Sequence, residues 1–313
     1  MKRVLVLSYS QSGQSTQAGD SLISRLDRGK FDVTVERIRP RTSYPFPWRV
    51  GRFFEVFPDC VLGRAPDIEP PSFPPSARFD LVILVWQVWF LAPSLPIQGF
   101  LKSEHARVLR GARVITLTVC RNMWHTASET MKRMIAAAGG VLIDNIVITD
   151  QGPPWAGFVT TPRWMFTGRR DRFLGIFPPA GVSDEVMNGL SRFGTAINER
   201  HHELDGSSTR PLLAGLGAVC VEPRYVVPEL IGRFTFPPWA RAIEISGPPA
   251  SLRRRLLTLL FVAYLAAAIL VLVPLGVLLS LLLYPVIRGP LRAYVDRLKA
   301  PSGLDPVEAE ATA

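Results

Sequence analysis

Five short apolar runs, separated by stretches with helical spacing, restrict this chain more than any other feature. They are Val4 to Leu7, Val33 to Val35, Leu81 to Val85, Val114 to Val119 and Val141 to Ile148. Runs this short and this rich in Val and Ile describe strands buried on both faces, the habit of parallel strands in α/β proteins. Between them, Ser15 to Leu26 places Leu22, Ile23 and Leu26 on one helical face, and Thr130 to Ala138 reads as a helix stopped by Gly139-Gly140. Ser183 caps a last helix, with Asp184 and Glu185 in its first turn, running to about Glu203. The alternation predicts the α/β class and a doubly wound, five-stranded parallel sheet over residues 1–203.

Two segments interrupt this plan. Prolines break residues 40–76 throughout, with one short helix predicted around Val50 to Phe57, and the density of aromatics there argues against disorder. Residues 151–180 form a second insertion that reads equally as a lid over a site or as a surface excursion. Beyond the sheet, 204–250 is a Gly- and Pro-rich connector, 251–299 an apolar segment with basic flanks, and 300–313 a small, acidic tail expected to be disordered.

Leu256 to Ile287 holds 32 residues without a charge. As a helix that is about 48 Å, where a bilayer core needs only ~20 residues. The segment therefore predicts a membrane anchor, as a single tilted span or, with Pro274 and Gly276 mid-way and arginines at both ends, a re-entrant hairpin. The net charge of +10 favours an anionic partner; beside such a segment membrane lipid fits it and nucleic acid does not. Three scattered cysteines suggest neither disulfides nor a metal site. Lys2-Arg3 precedes too few apolar residues for a secretory signal, so the main domain is expected on the cytoplasmic side of the inner membrane.

The candidate chemistry sits at strand ends. The first run leads into Ser10-Gln11-Ser12-Gly13-Gln14-Ser15-Thr16, a hydroxyl-rich turn opening a helix, where free amides and the dipole suit a phosphate. It lacks the lysine of the nucleoside-triphosphate loop. The third run ends in Trp86-Gln87-Val88-Trp89-Phe90, the fourth in Cys120-Arg121-Asn122-Met123-Trp124-His125. Ligands of open parallel sheets lie outside the carboxyl ends of strands, at the switch point beside the first. Each indole alone reads as core packing. Together, Trp86, Trp89 and Trp124, with Gln87 and Asn122, point to a flat ring between two loops. Arg121 and His125 are the candidate catalytic side chains, and no metal ligands are predicted.

Tyr9 to Thr16 resembles the phosphate loop of flavodoxins and flavodoxin-like NAD(P)H-dependent reductases, whose pattern is close to [ST]-x-[ST]-G-x-[ST]. The resemblance covers about residues 1–200. It implies FMN as cofactor, with its phosphate held by Ser10, Gln11, Ser12, Gly13, Gln14 and Ser15, and its ring flanked by Trp86, Gln87, Val88, Trp89, Phe90, Cys120, Arg121, Asn122 and Trp124. The strings Tyr44-Pro45-Phe46-Pro47-Trp48, Gln87-Val88-Trp89-Phe90, Cys120 to Trp124 and Thr160-Thr161-Pro162-Arg163-Trp164 are similar to bacterial flavodoxin-like proteins known as dialkylresorcinol condensing enzymes. With the apolar segment as anchor and the aromatic loops as walls, the preferred reading is a membrane-anchored FMN oxidoreductase, with NAD(P)H as a candidate donor, acting on a quinone or a lipid-tailed aromatic or polyketide-like substrate. The other readings are an accessory protein of dialkylresorcinol-type lipid biosynthesis, a flavin-free scaffold docking such an enzyme, and a one-electron carrier, which the +10 charge opposes.

Overall fold

The computed structural model describes residues 1–204 and 210–303. Its five-stranded sheet is built from β1 (Lys2–Ser8), β2 (Phe31–Arg37), β3 (Leu81–Trp86), β4 (Arg113–Cys120) and β5 (Val141–Thr149). All are parallel, in the order β2-β1-β3-β4-β5. That is the flavodoxin-like order, with its switch point between β1 and β3. Ser8 lies opposite Val85, and Trp86 opposite Thr118, so the loops that follow β1, β3 and β4 emerge side by side.

Both faces of the sheet are covered. Val4 and Val6 point to the layer of α1 (Gln14–Ile23), while Leu5 and Leu7 point to the opposite layer. That opposite layer includes α2 (Val50–Glu55), α3 (Phe57–Leu62), α4 (Leu95–Lys102) and α5 (His125–Ala137). The 40–76 segment, read with one helix, holds two, because Pro58 at the start of α3 begins a new helix where α2 ends. A bridge from Pro40 to Ile68 returns it to the end of β2, and its aromatics seat it on the core.

The 151–180 insertion carries α6 (Gly157–Thr167). The helix predicted from Ser183 to Glu203 breaks at Leu190 into α7 (Asp184–Gly189) and α8 (Ser191–Glu199); the Ser183 hydroxyl caps the first through the Val186 amide. Gly194 lets α8 cross α1 closely: a Cβ there would stand 2.0 Å from the Leu22 carbonyl oxygen.

The stretch read as a connector contains a 20-residue helix, α9 (Val226–Ile245), which keeps Pro237 and Pro238 inside it. Ala240 and Ile243 pack on Phe57, so tertiary burial outweighs the proline penalty. After it, α10 (Leu252–Ala267), one π-helical turn and α11 (Val273–Lys299) form a continuous run. Within that run Leu252–Gly276 is long and apolar enough to cross a membrane, by length and composition, and 6% of its most apolar window is buried. Residues 300–303 are docked rather than loose: Lys132 donates to the Ala300 carbonyl at 2.7 Å, and the Ser302 hydroxyl to the buried Asp144 carboxylate. The rest of the tail, 304–313, lies outside the described residues.

Candidate functional site

A cavity of about 200 Å³ opens at the carboxyl ends of β1, β3 and β4. Its walls come from Gln11, Ser12, Gln14 and Ser15 after β1, from Gln87 to Phe90 after β3, and from Val119, Cys120 and Arg121 at the end of β4. The roof comes from the two insertions: Phe46, Trp48 and Phe53 from the first, Thr161, Trp164 and Met165 from the second.

The first turn closes because Gly13, at φ 94°, takes the left-handed conformation that precedes α1. The Ser10 hydroxyl accepts from the Ser15 amide at 3.1 Å, which leaves Ser12 and Ser15 to face the cavity. Ser10 and Gly13 line instead a neighbouring groove of about 780 Å³, shared with Thr16, Arg37 and Tyr44. The two glutamines hold the roof. Gln11 accepts from the Trp48 indole at 2.9 Å and donates to the Pro45 carbonyl at 2.9 Å. Gln14 donates to the Val182 carbonyl at 2.8 Å and accepts from its amide at 3.2 Å. Their amides are thereby committed to protein partners, a role unlike the phosphate contact read from the sequence.

After β3 the chain makes a tight hairpin, Val88–Trp89 against Ala92–Pro93, whose tip residues Phe90 and Leu91 sit at φ 48° and 59°. Left-handed backbone at non-glycine residues costs about 1–2 kcal/mol each and persists where the surroundings enforce it. Trp89 packs edge-on to Tyr44 at 5.1 Å and to Trp48 at 5.6 Å. Gln87 Nε2 is buried and has no hydrogen-bond partner among the described residues.

Arg121 lies across Gly157, where a Cβ would stand 2.0 Å from Nη2, and stacks over Phe158 at 5.1 Å. It donates to the Pro154 carbonyl at 2.8 Å. Burial lowers its affinity for a proton, opposed by nearby Asp150, whose carboxylate accepts from Gly152 and Gly181 amides. Burial, reinforced by Glu229, pushes the Cys120 thiol far up, so it is protonated at neutral pH.

Besides Ser10 and Gly13, four expected residues stand elsewhere. Trp86 is fully buried on the same face as Val82 and Leu84, because β3 runs through residue 86 and both faces of that strand are covered by core layers. Trp124 packs against Val219, Val221, Val295 and Leu298. Asn122 is half-buried outside the cavity wall. His125, the first residue of α5, is sealed in the core with Nδ1 3.1 Å from a Glu229 carboxylate oxygen, while the other oxygen accepts from the Thr126 amide. A sealed imidazole cannot pass a proton to a substrate in the cavity, which removes His125 from the catalytic candidates. Trp48, Trp164, Met165 and Asp150 join the cavity wall without having been predicted as site residues; the lid reading of 151–180 bears on Trp164 and Met165, and nothing in the sequence marks Trp48 or Asp150 for the site.

No family model matches the chain, and no curated protein matches it. Among solved structures, a flavoprotein from Lactobacillus acidophilus NCFM in complex with FMN is similar at 18% identity, covering 47% of this chain and 93% of that one, with a TM-score of 0.39. A flavodoxin from the domain Archaea aligns at 12% identity over 64% of this chain and 98% of that one, with a TM-score of 0.34. The structure of RosB with a bound riboflavin-phosphate intermediate aligns at 10% identity over 68% and 84%, with a TM-score of 0.37. The fold assignment itself stands on the strand order.

Proposed function

We propose that the cavity takes the isoalloxazine ring of FMN and that the chain is an FMN-dependent oxidoreductase acting on an apolar substrate at a membrane. The observation that carries this reading is the Gln87 amide, a buried donor without a partner among the described residues, in a wall shared with Arg121. A ring edge bearing carbonyl oxygens would satisfy both, and unpaired buried donors are otherwise costly. The Ser12 and Ser15 hydroxyls and the start of α1 would hold the phosphate. Bound FMN supplies hydride or electron transfer at its ring. Arg121 would then hold positive charge beside the electron-rich end of that ring, and the indole and phenyl roof would exclude water. At about 200 Å³ the cavity is smaller than the ~300–1,000 Å³ usual for ligand sites, so loading requires the roof held by Gln11 and Gln14 to lift.

The apolar roof suits a quinone or a lipid-tailed aromatic, and the wall continues toward the C-terminal helices: Phe90 packs on Phe57 at 5.2 Å, and Phe57 stacks on Phe261 of α10 at 3.8 Å. NAD(P)H is the electron donor of this reading. A condensing enzyme of the dialkylresorcinol type would need a nucleophilic thiolate, and the protonated Cys120 favours redox chemistry instead. An accessory role beside a lipid-biosynthesis enzyme draws on the exposed Trp155, Leu174 and Ile176 of the 151–180 insertion.

The test is a visible spectrum of the full chain in lipid nanodiscs after loading with FMN and desalting, repeated anaerobically with NADH and NADPH. Retained oxidised-flavin bands that bleach on adding a nicotinamide support an oxidoreductase. Bands that resist both donors leave a carrier, and no retained flavin overturns the proposal in favour of the scaffold.

A further inference from the structure

The apolar C-terminal run touches the α/β domain at both of its ends and in its middle. In α10, Phe261 is fully buried on Phe57, with Leu257, Tyr264 and Leu265 packed around it. In α11, Val295 and Leu298 are buried against Trp124, Val219 and Val226, with Leu291 and Tyr294 beside them. Between these, Gly276 approaches α9: a Cβ there would lie 3.9 Å from Ile231 Cδ1. The backbone is helical from Leu252 to Lys299 and does not reverse.

These anchors conflict with a crossing. A span that traverses a bilayer carries its two ends to opposite surfaces, about 30 Å apart across hydrocarbon. Here residues before 266 and after 290 sit on one and the same globular unit, which cannot occupy both sides. A re-entrant hairpin requires a reversal near Pro274, whereas the helix continues through that point and Gly276 faces the domain.

Among the described residues, the opposite face of the run is bare. Leu256, Leu259, Leu260, Leu270, Leu275 and Leu282 are exposed at helical spacing, a strip too long and apolar to stand in water. Exposed arginines stand at both ends, Arg253 and Arg255 before it, Arg288 and Arg292 after it. Cations at both ends of one apolar strip match an anionic lipid surface approached side-on.

We infer that the α10–α11 run lies in the plane of one leaflet of an anionic membrane, its leucine strip sunk at the headgroup–acyl boundary and the α/β domain resting on its other side. The inference rests on the membrane attachment proposed above and is independent of the flavin. It places α2, whose Phe53 lines the cavity roof, next to the lipid-bound helix, so an apolar substrate would reach the roof along the leaflet surface.

The test uses the full chain in a Cys220→Ser background, because Cys220 is exposed, with single cysteines introduced as Leu256→Cys, Leu270→Cys or Leu282→Cys. Each is labelled with an environment-sensitive fluorophore and bound to vesicles of phosphatidylcholine with phosphatidylglycerol carrying quenchers at a shallow or a deep acyl position. An in-plane run predicts that the shallow quencher is the stronger at all three positions. Preferential deep quenching at position 270, with 256 and 282 shallow, means a crossing and overturns the inference while leaving attachment intact. Co-sedimentation reads attachment separately: Arg253→Ala or Arg255→Ala should each weaken it about fivefold. Failure of the unlabelled full chain to sediment with these vesicles overturns attachment and orientation together. Labels silent to both quenchers but sensitive to protein concentration would assign the strip to a second copy of the chain and overturn the inference too.

Discussion

Gln14 and Val182 exchange two hydrogen bonds, at 2.8 and 3.2 Å, so that a side-chain amide in the first turn holds a backbone 168 residues away as a neighbouring strand would. The pair is buried, and it fixes the loop after the second insertion against the cavity. Gln14→Ala leaves a buried carbonyl and amide unpaired, at about 1–3 kcal/mol each in the unrelaxed case. Chemical denaturation should register a loss in that range, and limited proteolysis should open the chain near residue 181. An unchanged midpoint and unchanged cleavage pattern would show that the two bonds contribute nothing.

Gly157 tests Arg121 without touching its charge. Because the atom nearest a Cβ there is the end of a long side chain, Gly157→Ala should displace the guanidinium while costing little, about 1 kcal/mol or less of stability. If Arg121 holds the ring, FMN affinity should fall about tenfold, the loss of one charge-assisted bond. Equal flavin titrations of the variant and the parent would remove Arg121 from the site.

The buried His125–Glu229 pair makes a structural prediction. Glu229→Ala removes the acceptor of the Thr126 amide at the start of α5 and the carboxylate beside the buried imidazole, and a buried donor left unpaired this way costs about 1–3 kcal/mol. Thermal unfolding should show that loss, whereas the rate of reduction per bound flavin should stay at the parental value. A pH-dependent fall in that rate, at full flavin occupancy, would restore His125 as a proton donor.

Asp144 should make stability depend on pH. Burial raises its carboxyl from 3.8 to about 6, although the Leu212 and Leu213 amides and the Ser302 hydroxyl favour the ionised form. The folded state therefore holds a proton that the unfolded state has released between about pH 4 and 6. Its contribution is full below about pH 4 and is lost as pH rises to about 6, by on the order of 3 kcal/mol for two pKa units. Asp144→Asn should flatten that part of the profile; parallel curves for variant and parent would sink the assignment.

The sheet was legible because buried parallel strands leave continuous apolar runs, and all five sequence runs fall inside observed strands. The turn Ser10–Thr16 was legible as a location, since a glycine between hydroxyl residues at a strand end announces itself. The use of its glutamines was not, because Trp48 and Val182 are distant in sequence. Trp86 misled for a related reason: the apolar run ends at Val85 but the strand continues one residue further, and in a sheet covered on both faces that residue is core whichever way it points. Helix α9 was hidden by Pro237-Pro238, which local propensity reads as a break, and with it went Glu229 and the true setting of His125.

Through Phe57, which stacks on Phe261 and meets Phe90 edge-on, the C-terminal helix backs the cavity wall. A solubiliser that peels α10 from the domain would withdraw the support behind Phe90 and loosen the grip on any cofactor. A preparation that turns colourless during extraction would then be reporting its handling, and restoring lipid should restore the colour.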